Sequence, residues 1–104
     1  SRRYGFYVVE DAAHCVGATY QGQKVGGCAH SDLAVFSLHP VKIITTGEGG
    51  IVTTNDERLY KKLLRLRTHG ITRDSAQMSK APDGPWYYEQ VDLGYHYRLT
   101  DIQA

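Results

Sequence analysis

No apolar run in this sequence approaches the length of a membrane span, and no charged-then-apolar leader opens it. Neither insertion in a bilayer nor export is therefore expected, and a cytoplasmic protein is. Two cysteines, Cys15 and Cys28, are too few for a disulfide framework. Neither sign of charge dominates: 12 Lys and Arg stand against 11 Asp and Glu, a net charge of +1. That balance gives no basic surplus for nucleic acid and no acidic solvating tail. Internal repeats and low-complexity tracts are missing too. What is present is 104 residues with 41% hydrophobic content, enough for at most one domain with a core.

A β-rich α/β pattern runs along the chain. "SRRYG" reads as a helix end, with Arg2 and Arg3 at the negative pole and Gly5 in the left-handed closing position. "FYVVED" (6–11) has the β-branched and aromatic content of a buried strand, and "AAHCVGA" suits a short helix after it. "ATYQGQKVG" alternates around Gly22 as a hairpin would, while "DLAVFSL" (32–38) and "GGIVTTN" (49–55) read as two further strands. "NDERLYKKLLRLRTHG" predicts a helix capped by Thr54 or Asn55, supported by Glu57 and closed by Gly70. Leu59, Leu63 and Leu66 form its apolar stripe. Its Arg58, Lys61, Lys62, Arg65 and Arg67 suit either a solvated face or a ligand-facing patch. Residues 72–91 read as a polar loop ending in an aromatic cluster, open to insertion or disorder. Thr100 with Asp101 opens a helix that the chain does not finish, so a piece cut at both ends is expected.

Three constellations carry candidate chemistry. Asp11 directly follows the apolar strand, and a carboxylate at a strand's C-terminal end points into the crevice where α/β folds bind ligands. Capping the next helix is the plainer role, and the two are compatible. Glu10 and Asp11 face opposite ways on an extended strand, which disfavours paired-carboxylate catalysis. His14, Cys15, Cys28 and His30 are potential zinc ligands, but their spacing lacks the tight pairs of a structural site. No metal is expected, and the cysteines read as packing residues. The third constellation is "SLHPVKIITTGEGG" (37–50), which sets Lys42 among apolar and small residues. Its glycines permit sharp turns and close approach, although the order is not that of a Walker loop. Partial desolvation disfavours an ammonium and frees an amine to attack a carbonyl. An aspartate for a pyridine nitrogen, a lysine for an imine and Ser37 for a phosphate are what pyridoxal phosphate requires. A surface lysine has the same composition.

Four segments carry a resemblance: "VVEDAAHCVGATYQGQKVG", "AVFSLHPVKIITTGEGGIVTTND", "RLRTHGITRD" and "GPWYYEQVDLGYHYRLTDIQA". Together they cover essentially the whole chain, and they resemble the DegT/StrS-type sugar aminotransferases, pyridoxal-phosphate enzymes of fold type I. "HPVK…TTGEGG" and "GPWYYEQ" are most similar to the UDP-sugar C4 transaminases of the pseudaminic acid pathway. The resemblance implies an α/β fold, with residues 1–104 forming the central part of the large cofactor-binding domain. A mostly parallel sheet with flanking helices is expected there, with the N-terminal part and small C-terminal domain outside the chain.

Position by position, the resemblance makes Lys42 the lysine that holds pyridoxal 5'-phosphate as an imine and then moves protons. It places Asp11 at the pyridine nitrogen, His14 near the 3-hydroxyl (where many members have Gln) and Ser37 at the phosphate. His96 stands where the family usually has an Asn that reaches the phosphate of the neighbouring subunit. Histidine is bulkier, differently directed and donates one hydrogen bond when neutral. Ile43 also departs from the His or Asn common after the lysine. The implied reaction takes an amino group from glutamate and places it on a nucleotide-linked 4-keto-6-deoxy sugar, in a homodimer with interfacial active sites. Two alternatives stand beside it. A related sugar dehydratase has His in place of the lysine, which Lys42 argues against; an inactive truncated product or assembly module is the other.

Overall fold

The computed structural model describes residues 1 and 3–104, which gather into two compact units. One comprises Ser1–Tyr60 with Leu99–Ala104, the other Lys61–Arg98. The part expected of Arg2 in a helix end lies outside the described residues. The N–H groups of Tyr4 and Gly5 both donate to the Ser1 carbonyl, at 2.9 and 2.8 Å. Gly5 takes the left-handed conformation, with φ of 69°.

The first unit is built on a three-stranded sheet. Strand β1 (Val9–Asp11) follows the apolar run, and the hairpin β2 (Thr19–Tyr20) and β3 (Gln23–Lys24) comes next. Then β4 (Leu33–Ser37) pairs in parallel with β1, and β5 (Gly50–Thr53) pairs antiparallel with β4. The sheet is thus mixed rather than mostly parallel. Its one parallel pair has a long connection, whereas the segment from β4 to β5 doubles straight back without a crossover helix. Among the described residues only one α-helix is present.

No helix forms over "AAHCVGA" either. Asp11 accepts a hydrogen bond from the Ala13 N–H at 3.1 Å. Cys15 N–H then donates to Ala12 and Ala18 N–H to Cys15, each three residues back. Gly17, with φ of 82°, breaks the run before it can propagate. The hairpin is as expected. Gln21 and Gly22 both have positive φ, 49° and 77°, the pattern of a two-residue turn whose twist matches the strands.

Register assigns the two faces of the sheet. Asp11 pairs with Val35 and Val35 with Val52, so Asp11, Val35, Val52 and, two residues on, Ser37 share one face. Glu10, Ala34, Phe36 and Thr53 share the other. That second face is covered by the segment after the hairpin. The Thr53 hydroxyl donates to the Gly26 carbonyl at 2.8 Å, Ser31 to Glu10 at 3.2 Å, and the Cys28 thiol to the Thr53 carbonyl at 3.4 Å. Gly26 fits because it has no side chain: a Cβ there would stand 2.7 Å from the Phe36 ring. Cys28 is therefore a packing residue. The buried apolar residues among those described are Ala12, Ala34 and Leu38. On the first face Val9 stays 57% and Val52 41% exposed, a large apolar surface for so small a core.

Helix α1 (Glu57–Arg67) has its cap one residue beyond Asn55 and two beyond Thr54, the expected positions. Asp56 holds that position, its Oδ1 accepting from the Arg58 and Leu59 N–H groups at 2.7 and 3.3 Å. The Arg58 guanidinium hydrogen-bonds the same carboxylate at 3.0 Å and holds it below the usual carboxylate range. Thr54 and Asn55 serve elsewhere. Thr54 donates to the Asp32 carbonyl at 2.7 Å and Asn55 to that of Gly27 at 2.9 Å. Leu59, Leu63 and Leu66 are half-buried. At the other end the Arg65 carbonyl accepts from Thr68 and Gly70, with His69 and Gly70 both at positive φ. Arg65 itself pairs with Asp92 at 3.0 Å, so the basic face is partly structural. No helix among the described residues is long and apolar enough to cross a membrane.

The loop over 72–91 is more ordered than its composition suggests. Strands β6 (Ile71–Thr72) and β7 (Glu89–Gln90) pair antiparallel at its base. Within it, Glu89 accepts from the Ser79 N–H at 2.8 Å, the Ser79 hydroxyl at 3.0 Å and the Tyr87 hydroxyl at 3.0 Å. Asp74 accepts from the Gln77 side chain at 2.6 Å and the Ala76 N–H at 3.0 Å. The Ser79 N–H leads in holding Glu89 below the usual range, and the Gln77 amide leads for Asp74. Lowered in the fold relative to the open chain, both carboxyls stabilise the loop fully above the ordinary carboxylate range. That support is lost as pH falls through the lowered values. In an acid titration followed by NMR, the Ser79 amide should move with a midpoint below the ordinary Glu value of about 4.3. Glu89→Gln should abolish that transition. A midpoint at or above the ordinary value would contradict the arrangement.

Candidate active site

The C-terminal ends of the parallel strands β1 and β4 are where this fold places a ligand. Asp11 ends β1 and Ser37 ends β4, on the same face of the sheet. Beyond Asp11, the Ala12 N–H still donates to the Val35 carbonyl at 2.9 Å, and Ala12 is fully buried. The chain then turns through the Asp11–Ala13 hydrogen bond, which leaves the Asp11 carboxylate exposed and brings out His14.

Beyond Ser37 the segment 38–49 closes on Leu38. Leu38 N–H donates to the Gly49 carbonyl at 2.9 Å, and its own carbonyl accepts from the Thr46 N–H at 3.1 Å and the Thr45 hydroxyl at 2.9 Å. Thr45 also accepts from the Gly47 N–H at 3.0 Å, and Thr46 donates to the Glu48 carbonyl at 2.8 Å. Gly49 sits at the base of this closure with φ of 157°, where a Cβ would meet the Thr46 hydroxyl at 2.6 Å. "TTGEGG" thus does local work: its hydroxyls tie the loop and its glycine lets the ends meet.

Lys42 rides on this closed loop. Its N–H donates to the His39 carbonyl at 3.0 Å, and the His39 N–H donates to the Ser37 hydroxyl at 3.3 Å. Acting as acceptor there, Ser37 retains its own O–H as a donor for a ligand. Half-buried as a residue, Lys42 brings Nζ to 2.7 Å from His14 Nε2. Four of the five expected site residues, Asp11, His14, Ser37 and Lys42, therefore belong to one unit and one strand edge. His14 and Lys42 are in direct contact.

His96 belongs to the second unit. Its ring meets that of His69 edge-on with centroids 5.4 Å apart, and Arg98 Nη2 lies 2.8 Å from its Nε2. Guanidinium only donates, so Nε2 is the acceptor and the proton of a neutral His96 is on Nδ1. Sequence reasoning did not find the supporting roles of Leu38, Thr45 and Thr46. The two adjacent threonines before the glycines were the available signal.

This donor set fits pyridoxal phosphate on its chemistry: a primary amine held at a loop tip, a carboxylate and a free hydroxyl donor on one face. Across residues 1–104 the sequence matches the DegT/DnrJ/EryC1/StrS aminotransferase family. It is similar to the uncharacterized protein MJ1066 of Methanocaldococcus jannaschii, 50% identical over 100% of this chain and 26% of that protein. It is also similar to a UDP-4-amino-4,6-dideoxy-N-acetyl-beta-L-altrosamine transaminase of Campylobacter jejuni, 41% identical over 98% of this chain and 24% of the relative. Among solved structures, Helicobacter pylori PseC, an aminotransferase involved in the biosynthesis of pseudoaminic acid, superposes with a TM-score of 0.78. It is 35% identical over 98% of this chain and 24% of its own. The putative sugar aminotransferase Spr1654 of Streptococcus pneumoniae, in its PLP form, gives a TM-score of 0.71 and 35% identity over 93% of this chain and 23% of its own. The chain thus spans about a quarter of the length of the relatives it matches. The donor set here suits the same group that the PLP-form relative is named for. The chain belongs to the DegT/DnrJ/EryC1/StrS aminotransferase family.

Proposed function

We propose that residues 1–104 are the central part of the large domain of a transaminase acting on a nucleotide-linked 4-keto-6-deoxy sugar, with glutamate as amino donor. The observation that carries this reading is the Lys42 amine, held 2.7 Å from His14 at the strand edge that also bears Asp11 and Ser37. A catalytic lysine in that position supports transamination over dehydration. Membership of a larger domain is supported by the small core of Ala12, Ala34 and Leu38 and by the uncovered Val9 and Val52. The substrate class rests on the names of the Campylobacter and Helicobacter relatives. A cytoplasmic homodimer completes the reading, in which His96 would serve the neighbouring subunit's phosphate.

Pyridoxal phosphate, when bound, supplies an electron sink for the negative charge that develops as a carbon loses its proton. The chain's own residues do the rest. Lys42 Nζ is the attachment point. As a free amine it would remove the proton from the donor's amine-bearing carbon and later deliver one to the sugar carbon that receives nitrogen. Asp11 would hold a positive charge on the ring nitrogen through its carboxylate. Ser37 would donate its O–H to the phosphate. The test is product analysis with the full-length protein, glutamate and candidate UDP- and dTDP-4-keto-6-deoxy sugars. Formation of 2-oxoglutarate together with a 4-amino sugar is expected. Loss of water without uptake of nitrogen would point to the dehydratase instead.

A further inference from the structure

We propose that Gln103 is a positioning residue for Lys42: its side-chain amide clamps the lysine-bearing loop, 38–49, from outside that loop. The inference rests on Lys42 being the reactive amine. Thr100, Asp101, Ile102 and Gln103 have the T-x-x-Q order of a capping box, and they make one. The Thr100 N–H donates to Gln103 Oε1 at 3.0 Å, and the Gln103 N–H donates to the Thr100 hydroxyl at 3.2 Å. A first helical bond follows, from the Ala104 N–H to the Thr100 carbonyl at 2.9 Å. The other end of the Gln103 amide serves a second segment. Its Nε2 donates to the Glu48 carbonyl at 3.0 Å, 55 residues away in sequence. Asp101 and Ile102 are exposed, whereas Gln103 is half-buried. The amide cannot be reversed. A backbone N–H only donates and a carbonyl only accepts, so the oxygen must face Thr100 and the nitrogen Glu48.

The clamp acts where the loop closes, within one compact unit. The Glu48 carbonyl also accepts from the Thr46 hydroxyl at 2.8 Å, so the clamp and the loop's own tie meet on one oxygen. At the next residue the Gly49 carbonyl accepts from the Leu38 N–H at 2.9 Å, and the Leu38 carbonyl accepts from the Thr46 N–H at 3.1 Å. Leu99, from the same outside segment as Gln103, lies against Gly49: a Cβ there would stand 2.9 Å from Leu99 Cδ2. Leu38, Thr45 and Thr46 tie the loop to itself. Such ties fix its shape but leave it free to swing as a body on the ends of β4 and β5. A hydrogen bond and an apolar contact from a separate segment oppose that swing. They thereby set where the Lys42 amine stands relative to Asp11 and Ser37, and reaction rate is steep in such placement.

The two partners of the amide require opposite functions, and that separates a clamp from a cap. Gln103→Glu has the same shape and keeps the acceptor for Thr100, but its carboxylate has no donor for the Glu48 carbonyl. Gln103→Met loses both. In the full-length protein freed of cofactor, hydrogen exchange read by mass spectrometry should be about tenfold faster across 38–49 in both variants, the worth of one good hydrogen bond. The peptide containing Ala104 should exchange faster only in Gln103→Met. In the loaded enzyme, Gln103→Glu should lower kcat about tenfold and leave KM for the amino donor within about twofold, the mark of misplacement rather than weaker binding. Unchanged exchange across 38–49 in Gln103→Glu would overturn the proposal, and so would faster exchange there with wild-type kcat. Faster exchange across 38–49 only where the Ala104 peptide also loosens would make Gln103 a cap alone and overturn it too. The exchange result stands apart from the transaminase reading, which fails separately if the cofactor is found on a lysine other than Lys42.

Discussion

Replacing Lys42 by methionine in the full-length enzyme is expected to abolish turnover while leaving the fold intact. Proton transfer by a placed side chain contributes about 10²–10⁴-fold, and Lys42 is also the proposed point of attachment, so the loss should exceed the upper end of that range. Stability should hardly change. Lys42 is tied to its loop by its backbone N–H, which methionine retains, and the loop closes through Leu38, Thr45 and Thr46 rather than through Nζ. Thermal unfolding and steady-state turnover together check the prediction. A variant that kept more than a tenth of its turnover would remove Lys42 from the mechanism.

Asp11→Asn is expected to cost at least about 10²-fold in kcat with little change in melting temperature. The charge at the ring nitrogen matters most when electron density flows toward it, so the loss belongs to the transition state rather than to ground-state binding. Structure and chemistry can be separated here because Asp11 has a structural partner beside its proposed role at the ring nitrogen. Its Oδ1 accepts from the Ala13 N–H at 3.1 Å, and an asparagine oxygen can do the same. Asp11→Ala removes that acceptor too and should lower the melting temperature as well. If Asp11 only holds the turn, Asn would retain near-normal turnover and only Ala would be impaired.

Much of the strand content was readable from local chemistry. The hairpin declared itself because Gly22 tolerates the positive φ that a two-residue turn requires, and β4 and β5 because their runs are apolar and β-branched. Helix α1 was equally plain from its leucine spacing. Its cap was misplaced because Thr54, Asn55 and Asp56 all have capping chemistry, and only the hydrogen bonds of Thr54 to Asp32 and Asn55 to Gly27 leave the role to Asp56. The short helix expected after Asp11 failed against Gly17 and a competing side-chain-to-backbone bond. Sheet direction was not local information. Whether β5 runs with or against β4 depends on how segment 38–49 closes, through Leu38 to Gly49.

The site divides in the same way. Asp11, Ser37 and Lys42 were legible as residue types in suggestive places, and the resemblance gave them roles. Their common edge required the β1–β4 register, which no spacing encodes. The contact between His14 and Lys42 joins side chains from two turns and was invisible before the strands were paired. Glu89 behaved similarly. Its ties to Ser79 and Tyr87 order a stretch whose polar composition suggested freedom.

The central claim is that Lys42 carries the cofactor, and borohydride reduction of the loaded full-length enzyme tests it most directly. Reduction fixes the cofactor to whichever amine holds it, and peptide mapping by mass spectrometry then locates the added group. The account predicts a pyridoxyl group on Lys42, in the peptide containing "HPVKIITTGEGG". A pyridoxyl group on Lys24, Lys61 or Lys62 in place of Lys42 would contradict it.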